Sequence, residues 1–275
     1  MNSKPRSKAK RWTLSLVLLA AAYMLVRWFE YSQVYCPTRA WEATPDAQSL
    51  KFENLSLPVA KDDHISAWFL PSSSTTVSKV FLVCHGNGGN ISHRLDLAKT
   101  LVDSGMAVLL FDYRGYGKST GRPSEQKSYE DAQAAYRWLR EKGFPPDAVV
   151  AYGESLGGGV AAELALREKL GGLVLQSTFT SIPDLGAELF PYLPVHLLAT
   201  IKYDTRKKLP LIHVPVLVMH SRSDTLVSFH HAEANFAAAN EPKQFVEISG
   251  DHNDGPYANP PLFAGGIKKF TTLLR

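Results

Sequence analysis

Cysteine is scarce in this sequence, with two residues among 275. Two thiols cannot form the disulfide network that stabilises many small secreted domains. Cys84 ends an apolar, strand-like run, where a free thiol packs as a small hydrophobic side chain. Cys36 stands earlier, before the first predicted strand. We therefore expect both thiols to be free, and a bridge between them is the less favoured alternative.

The sequence also lacks a basic stripe that would bind nucleic acid. The net charge is +4, but the cations that produce it are concentrated at the start of the chain, at Lys4, Arg6, Lys8, Lys10 and Arg11. The remaining chain is close to neutral, so no surface for a phosphate backbone is predicted.

Signals for a metal or a cofactor are missing as well. His230 and His231 are merely adjacent, and no pair of histidines or cysteines has the spacing of a zinc site. The glycine-rich stretches lack both the lysine of a phosphate loop and the spacing of a dinucleotide fingerprint. The sequence predicts neither a metal nor a cofactor.

One long apolar run is present, WTLSLVLLAAAYMLVRWF at residues 12–29. A membrane-spanning helix needs about 20 mostly apolar residues, and tryptophans favour its two interfaces. The alternative is a cleaved signal peptide, for which the alanines at 20–22 offer small residues. The anchor is favoured because the apolar character continues to Phe29. The positive residues before the run predict a cytoplasmic N-terminus and a catalytic body on the opposite face, periplasmic or lumenal.

Strand and helix patterns alternate through most of the remaining chain. Two strands, LKFENLSLPV and HISAWFLP, alternate apolar and polar residues, as half-exposed antiparallel strands do. Continuous apolar strands follow at VFLVCH, MAVLLFD, AVVAYG, LVLQS, VPVLVMH and QFVEIS. Helices are predicted between and after them at Ser92–Ser104, Glu125–Lys142, Leu156–Leu170, Phe229–Asn240 and Pro261–Leu274. This alternation predicts an α/β fold with a mostly parallel, eight-stranded sheet covered by helices on both faces.

We divide the chain into a basic tail at 1–11, an anchor at 12–29, a linker at 30–49 and a catalytic domain at 50–275. Residues 177–213 interrupt the alternation because they are rich in aromatics, leucine and proline and too long for a plain connection. We interpret them as a cap of short helices over the site. One crossover helix with irregular ends is the alternative.

Ser155 is the candidate nucleophile. It stands in Gly153-Glu154-Ser155-Leu156-Gly157, directly after a predicted strand and before a predicted helix. A sharp strand-to-helix turn of this kind exposes a serine in strained backbone geometry, and its glycines let neighbouring backbone pass closely. A glycine-rich structural turn without chemistry is the alternative interpretation.

A serine nucleophile needs a base and an acid that orients the base. Asp224 follows the strand VPVLVMH, and His252 follows the last strand, so both are expected at the same sheet edge as Ser155. Asp184 is an alternative acid, whereas Asp251 and Asp254 are expected to cap a turn beside His252. His85 and His220 end strands and are expected to be polar residues of the site wall.

Acyl transfer also needs backbone amides that bind the developing oxyanion. Leu156, directly after the nucleophile, is expected to supply one amide. The loop His85-Gly86-Asn87-Gly88-Gly89-Asn90 is expected to supply the other, with Asn87 the first choice and Gly88 the second. We expect Gly88, Phe179 and Leu189 to contact substrate.

Five motifs in order, HGNGGN, DYRGYGKSTGRPSE, GESLGGGVA, HSRSDTLV and GDHND, resemble those of the α/β-hydrolase superfamily, in particular its membrane-anchored serine hydrolases. The resemblance covers residues 50–275. It implies Ser155 as nucleophile, Asp224 as acid and His252 as base, with Asn87 and Leu156 in the oxyanion hole. Ser221-Arg222-Ser223 departs from the glycine that many relatives have there, which affects the local loop.

These observations predict a membrane-anchored serine hydrolase that cleaves an ester or thioester with an acyl chain, from a lipid or a lipidated protein. The branch it resembles includes protein depalmitoylases, esterases and aminopeptidase-like hydrolases. A peptidase or amidase with the same triad is the second hypothesis, in which Glu154, Asp184 or Glu188 would bind an amine. A catalytically silent membrane scaffold is the third.

Overall fold

The N-terminal helix is longer than the predicted anchor. The computed structural model describes residues 5–72 and 79–274, with side chains from Trp12 onward. Helix α1 covers Pro5–Val34, and its stretch Trp12–Val34 is long and apolar enough to cross a membrane, judged by length and composition. The side chains of the predicted basic tail at 1–11, and residues 73–78, lie outside the described residues.

Ten strands and nine further helices follow α1 among the described residues. The strands are β1 Cys36–Pro37, β2 Glu53–Pro58, β3 His64–Leu70, β4 Val80–Cys84, β5 Gly88–Gly89, β6 Ala107–Phe111, β7 Val149–Glu154, β8 Gly172–Gln176, β9 Val216–Ser221 and β10 Lys243–Ile248. The helices are α2 Leu95–Asp103, α3 Glu125–Glu141, α4 Leu156–Arg167, α5 Ile182–Leu189, α6 Val195–Leu198, α7 Thr205–Lys208, α8 Phe229–Ala238, α9 Gly255–Ala258 and α10 Pro260–Thr271.

Eight strands form one sheet in the order β10-β9-β8-β7-β4-β6-β3-β2. Pairing is parallel from β10 to β6, whereas β3 and β2 join antiparallel. The core has two parts, one packed against α3, α4 and α8 and the other against α2 and α10. Because helices cover both faces, the central strands are buried on both sides, which explains their continuous apolar sequences. The predicted fold class is confirmed.

Residues 177–213 contain the short helices α5, α6 and α7 and one 3-10 turn, Leu209–Leu211, instead of one long crossover helix. Prolines divide this segment. Pro183 lies in the first turn of α5, Pro194 precedes α6, and Pro210 lies in the 3-10 turn. Proline lacks the N–H that a helix interior needs, so α5, α6 and the 3-10 turn each start near one, whereas α7 starts after Asp204.

The segment predicted as a linker, residues 30–49, is attached to the rest of the fold. Strand β1 pairs in parallel with β5, so Cys36 faces Gly88 and Pro37 faces Gly89. The Asn90 amide donates hydrogen bonds to Thr38 Oγ1 at 2.9 Å and to the Ala40 carbonyl at 2.6 Å. Cys36 and Cys84 are both free thiols. Local sequence pattern does not report these bonds, because they join segments about 50 residues apart.

Helix α4 packs closely against the ends of two strands. A Cβ built on Gly157 would lie 1.9 Å from the Cys84 carbonyl oxygen, which is backbone of β4. A Cβ on Gly153, in β7, would lie 2.4 Å from Gly158 Cα. No side chain fits at either place, so glycine at both positions determines how closely α4 approaches the sheet.

Gly157→Ala is expected to lower the free energy of unfolding by about 3 kcal/mol, because the added methyl group overlaps backbone that cannot rotate away. Gly265→Ala is the matched control, since Gly265 lies within α10 and has no atom within 4 Å of a built Cβ. Alanine there should leave stability equal or raise it by up to about 1 kcal/mol. Urea unfolding of the detergent-solubilised protein, followed by tryptophan fluorescence, measures both. Equal stability of the two variants would contradict this account.

Candidate active site

Three side chains from separate loops meet at the carboxyl edge of the sheet. Ser155 follows β7, Asp224 follows β9 and His252 follows β10. The Ser155 Oγ lies 3.0 Å from His252 Nε2, and His252 Nδ1 lies 2.8 Å from Asp224 Oδ2. All three residues are buried. The fold therefore brings the three predicted residues into one hydrogen-bonded line.

Ser155 occupies a strained turn. Its backbone has φ 51° and ψ −114°, a conformation that residues with a Cβ rarely adopt. The turn is held by a hydrogen bond from the Ser155 amide to the Gln176 carbonyl at 2.9 Å and by one from the Gly158 amide to the Ser155 carbonyl at 3.0 Å. Strain of this kind persists only where the surroundings determine it, and here it presents Oγ to His252.

Asp224 is held as a carboxylate. Its Oδ1 accepts hydrogen bonds from the amides of Leu226 at 3.0 Å and Val227 at 2.8 Å, while Oδ2 faces His252. The His220 Nε2 lies 3.3 Å from the same Oδ2. Burial by itself would raise the pKa of Asp224, but the bonds from His220, His252 and Val227 hold that pKa well below its usual range. Asp224 is therefore ionised at neutral pH and orients the His252 ring.

The loop after β4 holds the Asn87 amide in a defined orientation. His85 Nδ1 lies 2.7 Å from the Gly86 carbonyl, in the peptide group that also contains the Asn87 N–H. Burial, and next the charge of Arg94, lower the pKa of His85 to about 3, so the ring is neutral and donates from Nδ1. In a trans peptide the carbonyl and the N–H point to opposite sides. The Asn87 N–H is therefore directed away from His85.

A second amide is available at the start of α4. Leu156 is the first residue of that helix, and the first amides of a helix have no acceptor within it. Asn87, Ser155 and Leu156 line the same cavity. The Asn87 carbonyl is held separately by the Tyr116 hydroxyl at 2.8 Å and the Cys36 amide at 3.1 Å. The two predicted donors thus lie on either side of the Ser155 hydroxyl's cavity.

Comparisons with known proteins identify the family of this chain. The family model for the alpha/beta hydrolase fold matches residues 79–197. The chain is 30% identical to the alpha/beta hydrolase domain-containing protein WAV2 of Arabidopsis thaliana over 264 residues, which are 86% of this chain and 85% of that protein. The chain belongs to the α/β hydrolase family.

Two other similar proteins cover most of the chain. An uncharacterised protein of Mycobacterium tuberculosis is 36% identical over 275 residues, covering 98% of this chain and 97% of its own. Among solved structures, an esterase of Pyrococcus furiosus superposes with a TM-score of 0.73 at 20% identity, over 87% of this chain and 97% of its own. At that identity the superposition shows the fold alone.

A cavity of about 480 Å³ opens from Ser155 in this α/β hydrolase, and apolar side chains line most of it. Phe179 and Leu189 line it as predicted from the cap segment. Gly88 is not among the lining residues. That prediction differs from the structure because Gly88 pairs with Cys36 in the small sheet and accepts a hydrogen bond from Arg94 through its carbonyl at 2.9 Å.

The alternative acids are engaged elsewhere. Asp184 accepts a hydrogen bond from the Thr180 hydroxyl at 2.7 Å, in the first turn of α5. Asp251 accepts from the Thr225 amide at 2.8 Å, and Asp254 accepts from the Asp251 amide at 3.0 Å. The Asp254 contact is the turn-capping role expected of that residue, whereas the Asp251 contact joins the loop of His252 to the loop of Asp224.

Sequence reasoning missed a partly buried ion pair beside the nucleophile. Arg94, which follows the glycine-rich loop, contacts both carboxylate oxygens of Glu154, at 3.0 and 3.1 Å. Burial would raise the pKa of Glu154, but Arg94 holds that pKa below its usual value. A carboxylate that is largely removed from water is stabilised by a paired cation. The sequence pattern does not identify Arg94 as that cation, because 60 residues separate the pair.

One group of metal-type ligands meets outside the site among the described residues. Glu188 Oε1 lies 3.0 Å from Nε2 of both His230 and His231. The His231 Nδ1 also lies 2.9 Å from the Thr180 hydroxyl. This group joins α5 of the cap to α8.

Arg94→Ala is expected to make stability fall as pH rises. In the wild type the lowered pKa of Glu154 stabilises the fold above about pH 4.5, and this contribution is lost as pH falls through the folded-state pKa. Without Arg94, burial raises that pKa, so the variant loses stability as pH rises through it. The free energy of unfolding of the variant should be about 3–5 kcal/mol below that of the wild type near pH 7.5, and this difference should shrink towards pH 4.5.

Unfolding midpoints of wild type and variant between these two pH values measure this effect. The double variant Arg94→Ala/Glu154→Gln is the control, because it removes the unpaired charge and should lose the added pH dependence. A deficit for Arg94→Ala that stays the same at every pH would exclude the ion pair as its cause.

Proposed function

We propose that this chain is a membrane-anchored serine hydrolase that cleaves carboxylic esters or thioesters carrying an acyl chain. The observation that carries the proposal is the unbroken line from Asp224 through His252 to the Ser155 hydroxyl, with distances of 2.8 and 3.0 Å. Such a line lets one histidine accept a proton from serine while a carboxylate stabilises the resulting positive charge. Residues 50–275 form the catalytic domain in this proposal.

The tautomer of His252 follows from its neighbours. The ionised Asp224 can only accept at Oδ2, so His252 carries its proton on Nδ1. The Nε2 lone pair then faces the Ser155 hydroxyl. His252 is therefore oriented as a general base for the proposed nucleophile before any substrate binds.

Hydrolysis proceeds in two stages, acylation of Ser155 and hydrolysis of the acyl-enzyme. The Ser155 Oγ attacks the acyl carbonyl carbon while its proton passes to His252 Nε2, and the amides of Asn87 and Leu156 bind the oxyanion. Collapse breaks the bond to the leaving alcohol or thiol, which takes the proton from His252. Water then gives a proton to His252 and attacks the acyl-enzyme, and release of the carboxylic acid restores Ser155.

Helix α1 serves as the membrane anchor in this proposal. Its stretch Trp12–Val34 has the length and composition of a span. Trp12 and Trp28 stand at positions where tryptophan favours the membrane interface. The cations before Trp12 favour a cytoplasmic N-terminus, which would place the catalytic domain on the periplasmic or lumenal side.

Two other functions fit the contacts less well. A peptidase that binds an N-terminal amine needs a free carboxylate at the site, but Glu154 is paired with Arg94 and Asp184 with Thr180, and Glu188 contacts two histidines. A silent scaffold does not require a strained serine that is hydrogen-bonded to a histidine. Turnover of aminoacyl amides without turnover of acyl esters would favour the peptidase.

A fluorophosphonate probe is expected to label the wild type and not Ser155→Ala. Asp224→Asn should slow labelling and ester turnover by about 10⁴-fold, because an amide stabilises the wrong tautomer of His252, as in other serine triads. Ser56→Ala, at an exposed position on β2, is the matched serine control and should label fully. Labelling of Ser155→Ala at the wild-type rate would exclude Ser155 as the nucleophile.

His85→Ala is expected to lower kcat by about 10- to 100-fold while KM changes by less than about twofold, because the Asn87 amide loses its fixed orientation towards the transition state. Steady-state kinetics on one soluble ester separate the two constants. His213→Ala, on an exposed surface residue, should change neither. A rise in KM with an unchanged kcat would contradict a positioning role for His85.

A further inference from the structure

The cavity above Ser155 has a wall that comes from the anchor helix. Besides the residues already described, its lining includes Leu25, Val26, Phe29 and Val34 of α1. Leu185 of α5 and Leu198 of α6 also line it. The second half of the proposed anchor and the cap segment therefore enclose the cavity together.

A polar cluster attaches α1 to the cap at this place. The Glu30 carboxylate accepts hydrogen bonds from the amides of Thr200 at 2.6 Å and Ile201 at 2.9 Å. Arg27 forms an ion pair with Glu30 at 2.7 Å and donates to the Leu198 carbonyl. These bonds hold the end of α1 in one position against the cap. The part of the cavity wall that α1 contributes therefore has a fixed place in the fold.

Aromatic contacts support the same attachment. The rings of Phe29 and Phe190 pack edge to face, with centroids 5.4 Å apart. Directly after α1 ends, the Tyr35 hydroxyl lies 3.2 Å from the Tyr203 hydroxyl, inside the fold. Helix α1 is thus packed against the catalytic domain through its last two turns.

The cavity wall lies at a depth that a bilayer would occupy. Leu25 stands 13 residues after Trp12, which is about 20 Å along a helix that rises about 1.5 Å per residue. The hydrocarbon core of a bilayer is about 30 Å thick. With Trp12 at one interface, Leu25 and Val26 lie within the hydrocarbon.

The outer surface of the cap is also apolar next to α1. Tyr192 is 98% exposed and Leu197 is 87% exposed, and Leu189 and Leu193 are partly exposed beside them. Large apolar side chains exposed as a group mark a contact surface. A bilayer around α1 would cover them, because α5 and α6 are attached to that helix.

We propose that the substrate's long acyl chain enters the cavity sideways from the bilayer, between α1 and the α5–α6 segment. The substrate class is then an ester with a long acyl chain that already lies in the membrane leaflet, with a membrane lipid as its source. The inference rests on the proposed function, since Ser155 at the inner end of the cavity must be the nucleophile. In this arrangement the anchor helix binds substrate as well as membrane.

Val26→Trp tests the wall directly. Val26 lines the cavity and is only partly exposed, so an indole ring there fills the space for the chain. Met24→Trp is the matched control, because Met24 lies two residues away on the same helix, is 63% exposed and does not line the cavity. The full chain is reconstituted in phosphatidylcholine vesicles, and kcat/KM is measured for 4-methylumbelliferyl palmitate and for 4-methylumbelliferyl acetate.

The ratio of kcat/KM for palmitate to that for acetate should fall at least tenfold in Val26→Trp and stay within twofold in Met24→Trp. An unchanged ratio in Val26→Trp, or the same fall in both variants, would overturn the inference. Fluorophosphonate labelling of Ser155 is recorded in parallel. If Val26→Trp is still labelled and its ratio is unchanged, only this inference fails. If the wild type shows neither labelling nor turnover, the proposed function fails as well.

The route of entry has its own test. The palmitate ester is placed either in the vesicles that carry the enzyme or in separate, enzyme-free vesicles. Sideways entry predicts an initial rate at least tenfold higher in the first case, and equal rates would overturn it. A monoacylglycerol and a palmitoylated cysteine peptide, each in enzyme-bearing vesicles, then distinguish the source. Faster turnover of the monoacylglycerol supports a lipid source, and faster turnover of the peptide rejects it in favour of a lipidated protein.

Discussion

The close approach of α4 to the strand ends is the contact on which the rest of the site depends. Gly153 and Gly157 leave no room for a Cβ, so backbone packs directly on backbone between β4, β7 and α4. This packing leaves the chain one residue, Ser155, in which to change from strand to helix. The strained geometry of Ser155 follows, and the same turn places the Leu156 amide beside it. A wider separation would relax the turn and remove both features.

The loop after β4 is the second constraint, and two distant parts of the chain hold it. From inside the fold, His85 and Tyr116 fix the peptide groups on either side of Asn87. From outside, β1 pairs with the loop directly after helix α1 ends. The segment that leaves the proposed membrane anchor is therefore part of the support for the proposed oxyanion donor. The proposed anchor helix and the loop after β4 are therefore connected by a short stretch of chain, because α1 ends at Val34 and β1 begins at Cys36.

The composition of the cap also has a physical explanation. Residues 177–213 present leucine and aromatic side chains in two directions, inward to the cavity and outward to the surface beside α1. In a water-soluble enzyme the outward-facing leucine and aromatic side chains would be unfavourable, because exposed apolar area raises the free energy of the folded state. In the arrangement proposed above, a bilayer around α1 would cover these side chains. Prolines keep the helices short enough to follow the cavity wall.

The sequence by itself determined the order of strands and helices, the sheet, and the loops on which Ser155, Asp224 and His252 stand. Periodicity is local, and the carboxyl ends of parallel strands meet at one edge wherever they occur in the chain. Only the tertiary structure decided what joins these loops to the rest. The Arg94–Glu154 pair, the pairing of Cys36 with Gly88, and the cavity wall from α1 each connect segments tens of residues apart. Contacts of that kind depend on how folded helices, strands and loops pack against one another, so no local sequence pattern predicts them.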